Sequence, residues 1–170
     1  MSMHEEAEKI INKLGLDRHP EGGFYKQTYS SDEKAGDKTL IKKYNGERLF
    51  YTSIYFLLRS EDVSHLHRLK SDELWYFHSG SPLTIHMIHP NGIYEEVRLG
   101  LDLDNGEVPQ YRVPKHTIFG SSVNERDTFS LVSCMVSPGF DFDDFELFNK
   151  EDLLEQYPEH HKIINTLASN

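Results

Sequence analysis

The stretch from Ser64 to Leu83 concentrates side chains that could bind a metal or move a proton. It reads SHLHRLKSDELWYFHSGSPL and contains His65, His67 and Glu73. Residues two apart in a β-strand point the same way, so strand geometry predicts that the two imidazoles lie side by side. Two imidazoles and one carboxylate form a ligand set for Fe, Mn, Ni or Zn. In the alternative, which stays open, both histidines only form hydrogen bonds inside a polar interior.

The elements that position these side chains are predicted to be β-strands. The run LFYTSIYFLL at 49–58 has β-type composition, and its alternation puts Ser53 and Tyr55 on one face. Because that face carries hydroxyl groups, we expect it to line a polar cavity. In the strand that follows the histidine pair, His78 is out of phase with Glu73 and is predicted to face away from the cavity.

Most of the chain has the pattern of strands and turns. About ten short β-type runs, separated by turn signals such as Asn-Gly, occupy residues 20–148. This pattern favours an antiparallel sandwich or barrel. The polar segment at 33–48 is predicted to be a loop or hairpin, because it contains the turn signal Asn45-Gly46.

Short helices are predicted at both ends of a single domain that spans residues 1–170. In residues 1–15, a capping-box spacing precedes apolar residues that recur with helical periodicity. In residues 149–170, Asn149 and Pro158 are typical of helix starts.

The composition argues against several classes of partner. The formal net charge is −10, whereas binding to a nucleic-acid backbone requires clustered Lys and Arg. No apolar stretch approaches the roughly 18 residues of a membrane span, and the first residues do not resemble a secretory signal. The single cysteine, Cys134, lies in an apolar run and is predicted to be buried. These features predict a cytoplasmic protein without nucleic-acid or membrane partners.

The spacing around the histidines resembles the first motif of the cupin superfamily. That motif contains HxH, three or four residues, a glutamate, six residues and a glycine. Here five residues separate His67 from Glu73, and six separate Glu73 from Gly80. Asp72 would restore the shorter spacing to the histidines but not the spacing to the glycine. Glu73 is therefore the preferred motif acid.

Several segments are similar to the cupin-5 family of small proteins without established function. These segments are PEGGFYKQTY (20–29), TSIYFLL (52–58), HRLKSDELWYFHSGSPL (67–83), GEVPQYRVP (106–114) and SPGFDFDDFEL (137–147). The resemblance covers residues 14–157 and implies an all-β cupin jelly-roll β-barrel. It also implies a homodimer, but it does not imply a known reaction.

The second cupin motif is altered in this sequence. In the superfamily it reads Pro-x-Gly, two residues and a histidine that is the last metal ligand. In VPKHTIFGSS, Pro114 matches, but His116 replaces the glycine and Phe119 replaces the histidine. Three extended residues span roughly 10 Å, too far for His116 to replace the missing ligand simply. We interpret His116 as a turn residue with left-handed backbone; the alternative is a displaced ligand or pocket residue.

Three classes of function are compatible with these residues. The first is binding of a small polar or aromatic ligand, sugar-like or nucleotide-like, in a metal-poor pocket. The residues expected to contact such a ligand are Ser53, His65, Trp75, Phe77, Gln110 and Phe119. The second class is an enzyme. The third is a structural role, in which side chains fill the pocket.

Two versions of the enzyme are open. One resembles the metal-free, cupin-fold sugar-nucleotide epimerases, with His67 and Glu73 as an acid–base pair and Tyr55 as proton donor. The other is a metal-dependent oxygenase, in which His65, His67 and Glu73 hold a divalent metal with open coordination positions.

Overall fold

The computed structural model describes residues 1–170 and shows a mostly β protein with short helices. The helices are α1 (Met3–Leu14), α2 (Lys38–Tyr44), α3 (Lys150–Gln156) and α4 (His161–Leu167). The strands are β1 (Asp17–Arg18), β2 (Phe24–Ser30), β3 (Lys34–Ala35), β4 (Arg48–Leu49), β5 (Thr52–Arg59), β6 (Val63–Arg68), β7 (Asp72–Gly80), β8 (Leu83–Ile88), β9 (Tyr94–Leu99), β10 (Gln110–Val113), β11 (Ile118–Val123), β12 (Phe129–Ser137) and β13 (Glu146–Leu147). Single 3-10 turns lie at Leu103–Asn105, Phe142–Asp144 and Pro158–His160.

The strands form two main antiparallel sheets that face each other. One has the order β1-β2-β5-β12-β7-β10, and the other has the order β13-β6-β11-β8-β9. This arrangement is consistent with a jelly roll. The closed barrel expected from the sequence is not formed, because no ladder joins the two sheets. At one side a single main-chain hydrogen bond, from His65 to Glu21, connects β6 to the turn before β2.

The main core lies between the two sheets. It is built from the inward-facing side chains of both, and its largest members are Trp75, Phe56 and Phe119. Burial of side chains of this size stabilises the fold by about 1.5–3 kcal/mol each before the entropy cost of ordering them is counted. This packed core lies beside the cavity that contains Glu21, His67 and Glu73.

Helices cover the outer face of each sheet. The capping box predicted at Ser2 starts α1, and buried Ile11 packs with Leu57 of β5. At the other end, α3 and α4 place Leu153 and Ile164 in a cluster on the outer face of the second sheet. Strand β5 is therefore covered by α1 on its outer face and by the main core on its inner face. The outer face is filled by α1, so a cavity can form only on the inner face.

The segment at 33–48 is predicted to be a loop or hairpin. This prediction is partly wrong, because the segment contains helix α2. The Asp37 carboxylate accepts hydrogen bonds from the first free N–H groups of this helix. After the helix, Arg48 forms a buried, bidentate ion pair with Asp144, with N–O distances of 2.8 and 2.9 Å. This pair fixes the loop that follows β12.

Candidate functional site

One cavity collects acidic, imidazole and aromatic side chains. It has a volume of about 260 Å³ and lies between the inner face of the first sheet, the end of β6 and the loop after β12. Its lining residues are His19, Glu21, Tyr25, Gln27, Thr52, Ile54, His67, Leu69, Glu73, Cys134, Val136, Phe140 and Phe142.

The turn at 19–23 carries a carboxylate into this cavity. Gly22 has φ 105°, a conformation that favours glycine, and a Cβ at this position would collide with the carbonyl oxygen of Val63. Because glycine lacks that atom, the turn can lie directly on β6. The N–H of His65 then donates to the carbonyl oxygen of Glu21 at 2.6 Å. This contact holds the Glu21 side chain inside the cavity.

Glu21 and His67 form a buried ion pair in the cavity. The distance from Oε2 of Glu21 to Nε2 of His67 is 2.8 Å, and the side chains are 9% and 3% exposed. Burial favours the neutral form of each group, but the charge and hydrogen bond of the partner outweigh it. The pKa of His67 is therefore raised and the pKa of Glu21 is lowered. Both groups are charged near neutral pH.

The His67 ring is held in place from several sides. Its Nδ1 donates to the carbonyl oxygen of His65 at 2.7 Å. Phe119 packs on the ring with centroids 4.1 Å apart, and Phe145 lies 5.4 Å away. Both ring nitrogens are engaged and the ring is packed, so His67 is a fixed group.

Glu73 is a second carboxyl group in the cavity, and it has no cationic partner at salt-bridge distance. It is 8% exposed. Burial, followed by the negative charge of Glu21, raises its pKa to about 8, although the charge of His67 acts in the opposite direction. Its polar neighbours include Trp75, whose Nε1 is buried without a hydrogen-bond partner of good geometry. Glu73 is therefore mostly protonated at neutral pH.

His19 forms part of the cavity wall as a neutral imidazole. Burial lowers its pKa, and its Nδ1 accepts a hydrogen bond from the N–H of Glu21 at 3.0 Å. In this tautomer the proton is on Nε2. The ring meets Tyr25 edge-on with centroids 4.5 Å apart. His19 thus links the polar floor of the cavity to its aromatic wall.

Two phenylalanines of the loop after β12 complete the aromatic wall. Phe140 and Phe142 lie perpendicular to each other, with centroids 4.9 Å apart. Phe142 is 52% exposed, while Asp144 beside it is anchored by Arg48. The rim of the cavity is therefore apolar, and the loop that carries it is anchored by the ion pair of Arg48 and Asp144.

Known proteins resemble this chain in sequence and in fold. Residues 8–148 match the Cupin_5 family, described as cupin superfamily (DUF985). The chain belongs to this family. A hypothetical protein from Leishmania major is 42% identical, with a TM-score of 0.87 over 96% of this chain and 99% of that chain. Protein SO0799 from Shewanella oneidensis is 52% identical, with a TM-score of 0.86 over 96% and 97% of the two chains.

More distant matches give less information about this chain. The uncharacterized protein YML079W of Saccharomyces cerevisiae is 29% identical over 160 residues, which are 87% of this chain and 78% of that protein. An oxalate decarboxylase variant of Bacillus subtilis is 14% identical, with a TM-score of 0.54, and the match covers 88% of this chain and 36% of that one. This last likeness shows the fold alone. No helix in this cupin has the length and apolar character needed to cross a membrane. The homodimer and the cytoplasmic location stay predictions.

The expectation that His65 lies beside His67 is wrong. Strand β6 contains a β-bulge, seen as a shift of its register with β11 between Phe119 and Ser121. A bulge interrupts the two-residue alternation of side chains. As a result, the Nδ1 of His65 lies 3.1 Å from the carbonyl oxygen of Leu167, on the side of α4.

Ser53, Tyr55 and Gln110 also lie away from the cavity. The cavity is lined by the other face of β5, through Thr52 and Ile54. Tyr55 instead packs against the cluster formed by α1. The prediction chose the face with more hydroxyl groups, but α1 covers that face and the polar groups of the cavity come from other elements.

The predicted aromatic contacts are in the core beside the cavity. Trp75 and Phe119 are buried members of the core between the sheets, and Phe77 packs against it. None of them lines the cavity itself. His116 lies in a turn with φ 66°, as interpreted from the sequence, and lines a separate surface groove.

The donor groups of this cupin, as arranged, do not fit a divalent metal. His65 faces α4, Phe119 stands where the last cupin ligand is expected, and both nitrogens of His67 already have partners. No three His, Cys, Asp or Glu side chains are grouped so that they could hold a metal ion. The proposed trio of His65, His67 and Glu73 is therefore not assembled.

Glu21 and His19 are the functional candidates that sequence reasoning missed. In the sequence, the segment PEGG contributes only to the resemblance to the cupin-5 family. Its two adjacent glycines after a glutamate were the available signal, since paired glycines often allow close approach of the main chain. The partner, His67, is distant in the sequence, so only the tertiary structure identifies the pair.

Three larger grooves are more open to solvent than this cavity, and most of their lining residues are polar. One, of about 520 Å³, lies between β9 and α4. There His86 uses both nitrogens, at 2.7 Å from Tyr94 and 3.0 Å from Ser122. Another, of about 560 Å³, contains the ion pair of Arg68 and Glu146. The smaller cavity is therefore the better candidate site.

Proposed function

We propose that this cupin binds a small, ring-bearing polar molecule in the cavity of about 260 Å³. The observation that carries the proposal is the lining, which combines the Glu21–His67 pair and Glu73 with the rings of Phe140 and Phe142. Apolar walls with a few convergent polar groups are typical of small-molecule sites.

The volume restricts the size of the ligand. Pockets for drug-sized ligands have volumes of roughly 300–1,000 Å³, and this cavity lies just below that range. A single sugar or a single base is therefore a better match than a whole sugar nucleotide. The proposed range of ligands is therefore smaller than the sequence suggested. Of the sugar-like and nucleotide-like molecules, it includes a single sugar or a single base.

A tryptophan at the rim is expected to block binding. Gln27 is exposed and lines the cavity, so Gln27→Trp adds bulk there without disturbing the core. Monosaccharides, nucleosides and nucleobases are screened by thermal shift against the wild type. A compound that raises Tm of the wild type should lose at least about tenfold in affinity for Gln27→Trp in calorimetry.

The matched control for this experiment is Lys26→Trp. Lys26 is the preceding exposed residue on β2 and pairs with Tyr55, whose side chain is outside the cavity. Lys26→Trp should bind the compound as the wild type does. Equal affinity of the wild type and Gln27→Trp for every compound found would contradict the proposal.

Acid–base catalysis by an isomerase-like or epimerase-like cupin is a second candidate function. It is favoured because one cavity holds Glu73, a carboxyl group with a raised pKa, together with Glu21 and His67, which are both charged. Glu21 keeps His67 protonated, so Glu73, with its pKa of about 8, is the group that exchanges a proton near neutral pH. Tyr55 cannot be the proton donor, since it lies on the outer face.

Hydrogen exchange at carbon tests this second candidate. A ligand from the screen is incubated with the protein in D₂O, and deuterium incorporation at carbon is followed by NMR. We expect Glu73→Gln to slow incorporation by at least about 100-fold, the usual effect of losing a general acid or base. Incorporation by Glu73→Gln at the wild-type rate would reject catalysis and leave the binding function in place.

A further inference from the structure

We infer that the ligand of this cavity is a cation, namely a protonated amine on a small polar ring. This inference rests on the proposed function, because it requires that the cavity binds a ligand. It goes further by assigning the charge of that ligand. The first observation is the charge balance of the lining, in which two carboxyl groups, Glu21 and Glu73, face one imidazolium, His67, and which includes no Lys or Arg among its 13 residues.

Glu73 is the group with which the ligand would pair. The charge of Glu21 is matched by His67 at 2.8 Å, whereas Glu73 forms no salt bridge. Its carboxyl group is 8% exposed and borders the cavity. In the free protein Glu73 avoids an unpaired buried charge by keeping its proton, since its pKa is raised to about 8. An ammonium group beside it would take the place of that proton, because a neighbouring cation stabilises the carboxylate form.

A second observation at the same place is the buried indole N–H of Trp75. Trp75 is 1% exposed, and its Nε1 has no hydrogen-bond acceptor of good geometry. This group neighbours Glu73 and favours its ionised form. The indole, together with an ammonium group in the cavity, would satisfy the carboxylate from both sides.

The aromatic rim also suits a positive charge. Phe140 and Phe142 are perpendicular, with centroids 4.9 Å apart, and Tyr25 belongs to the same lining. A cation over an aromatic face within about 6 Å of its centroid is attracted by the ring quadrupole. The rim therefore offers favourable contacts to an ammonium group that enters toward Glu73.

The charges around the cavity also favour a cationic ligand. The chain has a net charge of −10, and the loop with the rim phenylalanines also carries Asp141 and Asp143. Of the basic groups near this loop, Arg48 and Lys70 pair with Asp144 at 2.8 and 3.6 Å. A phosphate or carboxylate group entering the cavity would find no free Arg or Lys in the lining, and the overall field favours cations.

The test is a charge-matched ligand series on the same ring. Binding of glucosamine, glucose and glucuronate is measured by calorimetry and ligand-detected NMR. A second series on another ring uses 3-(aminomethyl)pyridine, 3-(hydroxymethyl)pyridine and nicotinate. For at least one series, the cation should bind at least about tenfold more tightly than its neutral analogue, and the anion should bind most weakly.

Variants locate the charge preference. Glu73→Gln keeps the shape of the side chain and should remove most of the tenfold preference, whereas Glu151→Gln on the exposed surface of α3 should retain it. Phe142→Ala changes a half-exposed rim residue, so its fold should be retained, and it should weaken the cation by about threefold but not the neutral analogue.

Two outcomes would overturn the inference. If neither cation binds more tightly than its neutral and anionic analogues, including the case in which none of them binds, the assignment of charge is wrong. It is also wrong if Glu73→Gln and Phe142→Ala both retain the full preference. The proposed function fails separately: it stands as long as some compound binds to the wild type and is lost in Gln27→Trp.

Discussion

Replacing His67 with alanine is expected to lower the free energy of unfolding by about 3–5 kcal/mol near neutral pH. The change removes the cation that lies 2.8 Å from Glu21 and leaves that carboxylate 9% exposed without a partner. It also removes the ring on which Phe119 packs at 4.1 Å. Urea denaturation of the wild type and the variant measures the difference.

Two further variants separate the charge effect from the loss of packing. In Glu21→Gln/His67→Ala no buried charge remains unpaired, so the double variant should be more stable than His67→Ala alone despite the same cavity. His65→Ala is the matched control, because it removes one hydrogen bond to Leu167 and should cost only about 1 kcal/mol. Equal costs for His65→Ala and His67→Ala would contradict the assignment of the ion pair.

Replacing Glu73 with glutamine is expected to stabilise the protein, and by more as the pH rises. The folded pKa of Glu73 is about 8, above its ordinary value of 4.5. The stability that comes from its protonation is therefore fully present below about pH 4.5 and is lost as the pH rises through about 8. Glutamine does not ionise, so Glu73→Gln avoids this loss, which is about 3 kcal/mol at pH 7.

Urea denaturation across the range from about pH 5 to about pH 8 gives the required comparison. The difference between Glu73→Gln and the wild type should grow steadily with pH. The raised pKa of His67 acts in both proteins, so most of its contribution cancels in the difference. Glu151→Gln, on the surface, should show no such trend. A difference that stays constant over this range would show that Glu73 has an ordinary pKa.

Much of the fold is encoded in local patterns. Among the predicted short strands, Gln110–Val113 and Ile118–Val123 lie next to turn signals, since Gly106 and Pro109 precede the first and Pro114 separates the two. Helix α1 starts after Ser2 and ends before Gly15, as its capping signals indicate. The open edges of the sheets could not be derived in this way, since closure depends on pairing between strands that are distant in the sequence.

The site was less accessible to sequence reasoning for three physical reasons. Alternation along β5 separates its two faces but does not reveal which one α1 covers, so Tyr55 was placed in the cavity and Thr52 was not. The bulge that turns His65 away arises from pairing with β11. The contact of Glu21 with His67 requires the turn at 19–23 to pack on β6. Glu73, in contrast, was preferred as the motif acid because of the resemblance to the cupin motif, and it lines the cavity.

The most direct test of the ligand site uses isoleucine methyl groups as local probes. Ile54 lines the cavity, Ile93 is 61% exposed elsewhere, and Ile163 lies at the groove beside α4. A compound from the thermal-shift screen is titrated into methyl-labelled protein and followed by NMR. A ligand in the cavity should cause a saturable shift of the Ile54 methyl signal, with the Ile93 and Ile163 signals unchanged. Shifts of Ile163 alone, or no shift of Ile54 with any compound that binds, would contradict this placement of the ligand.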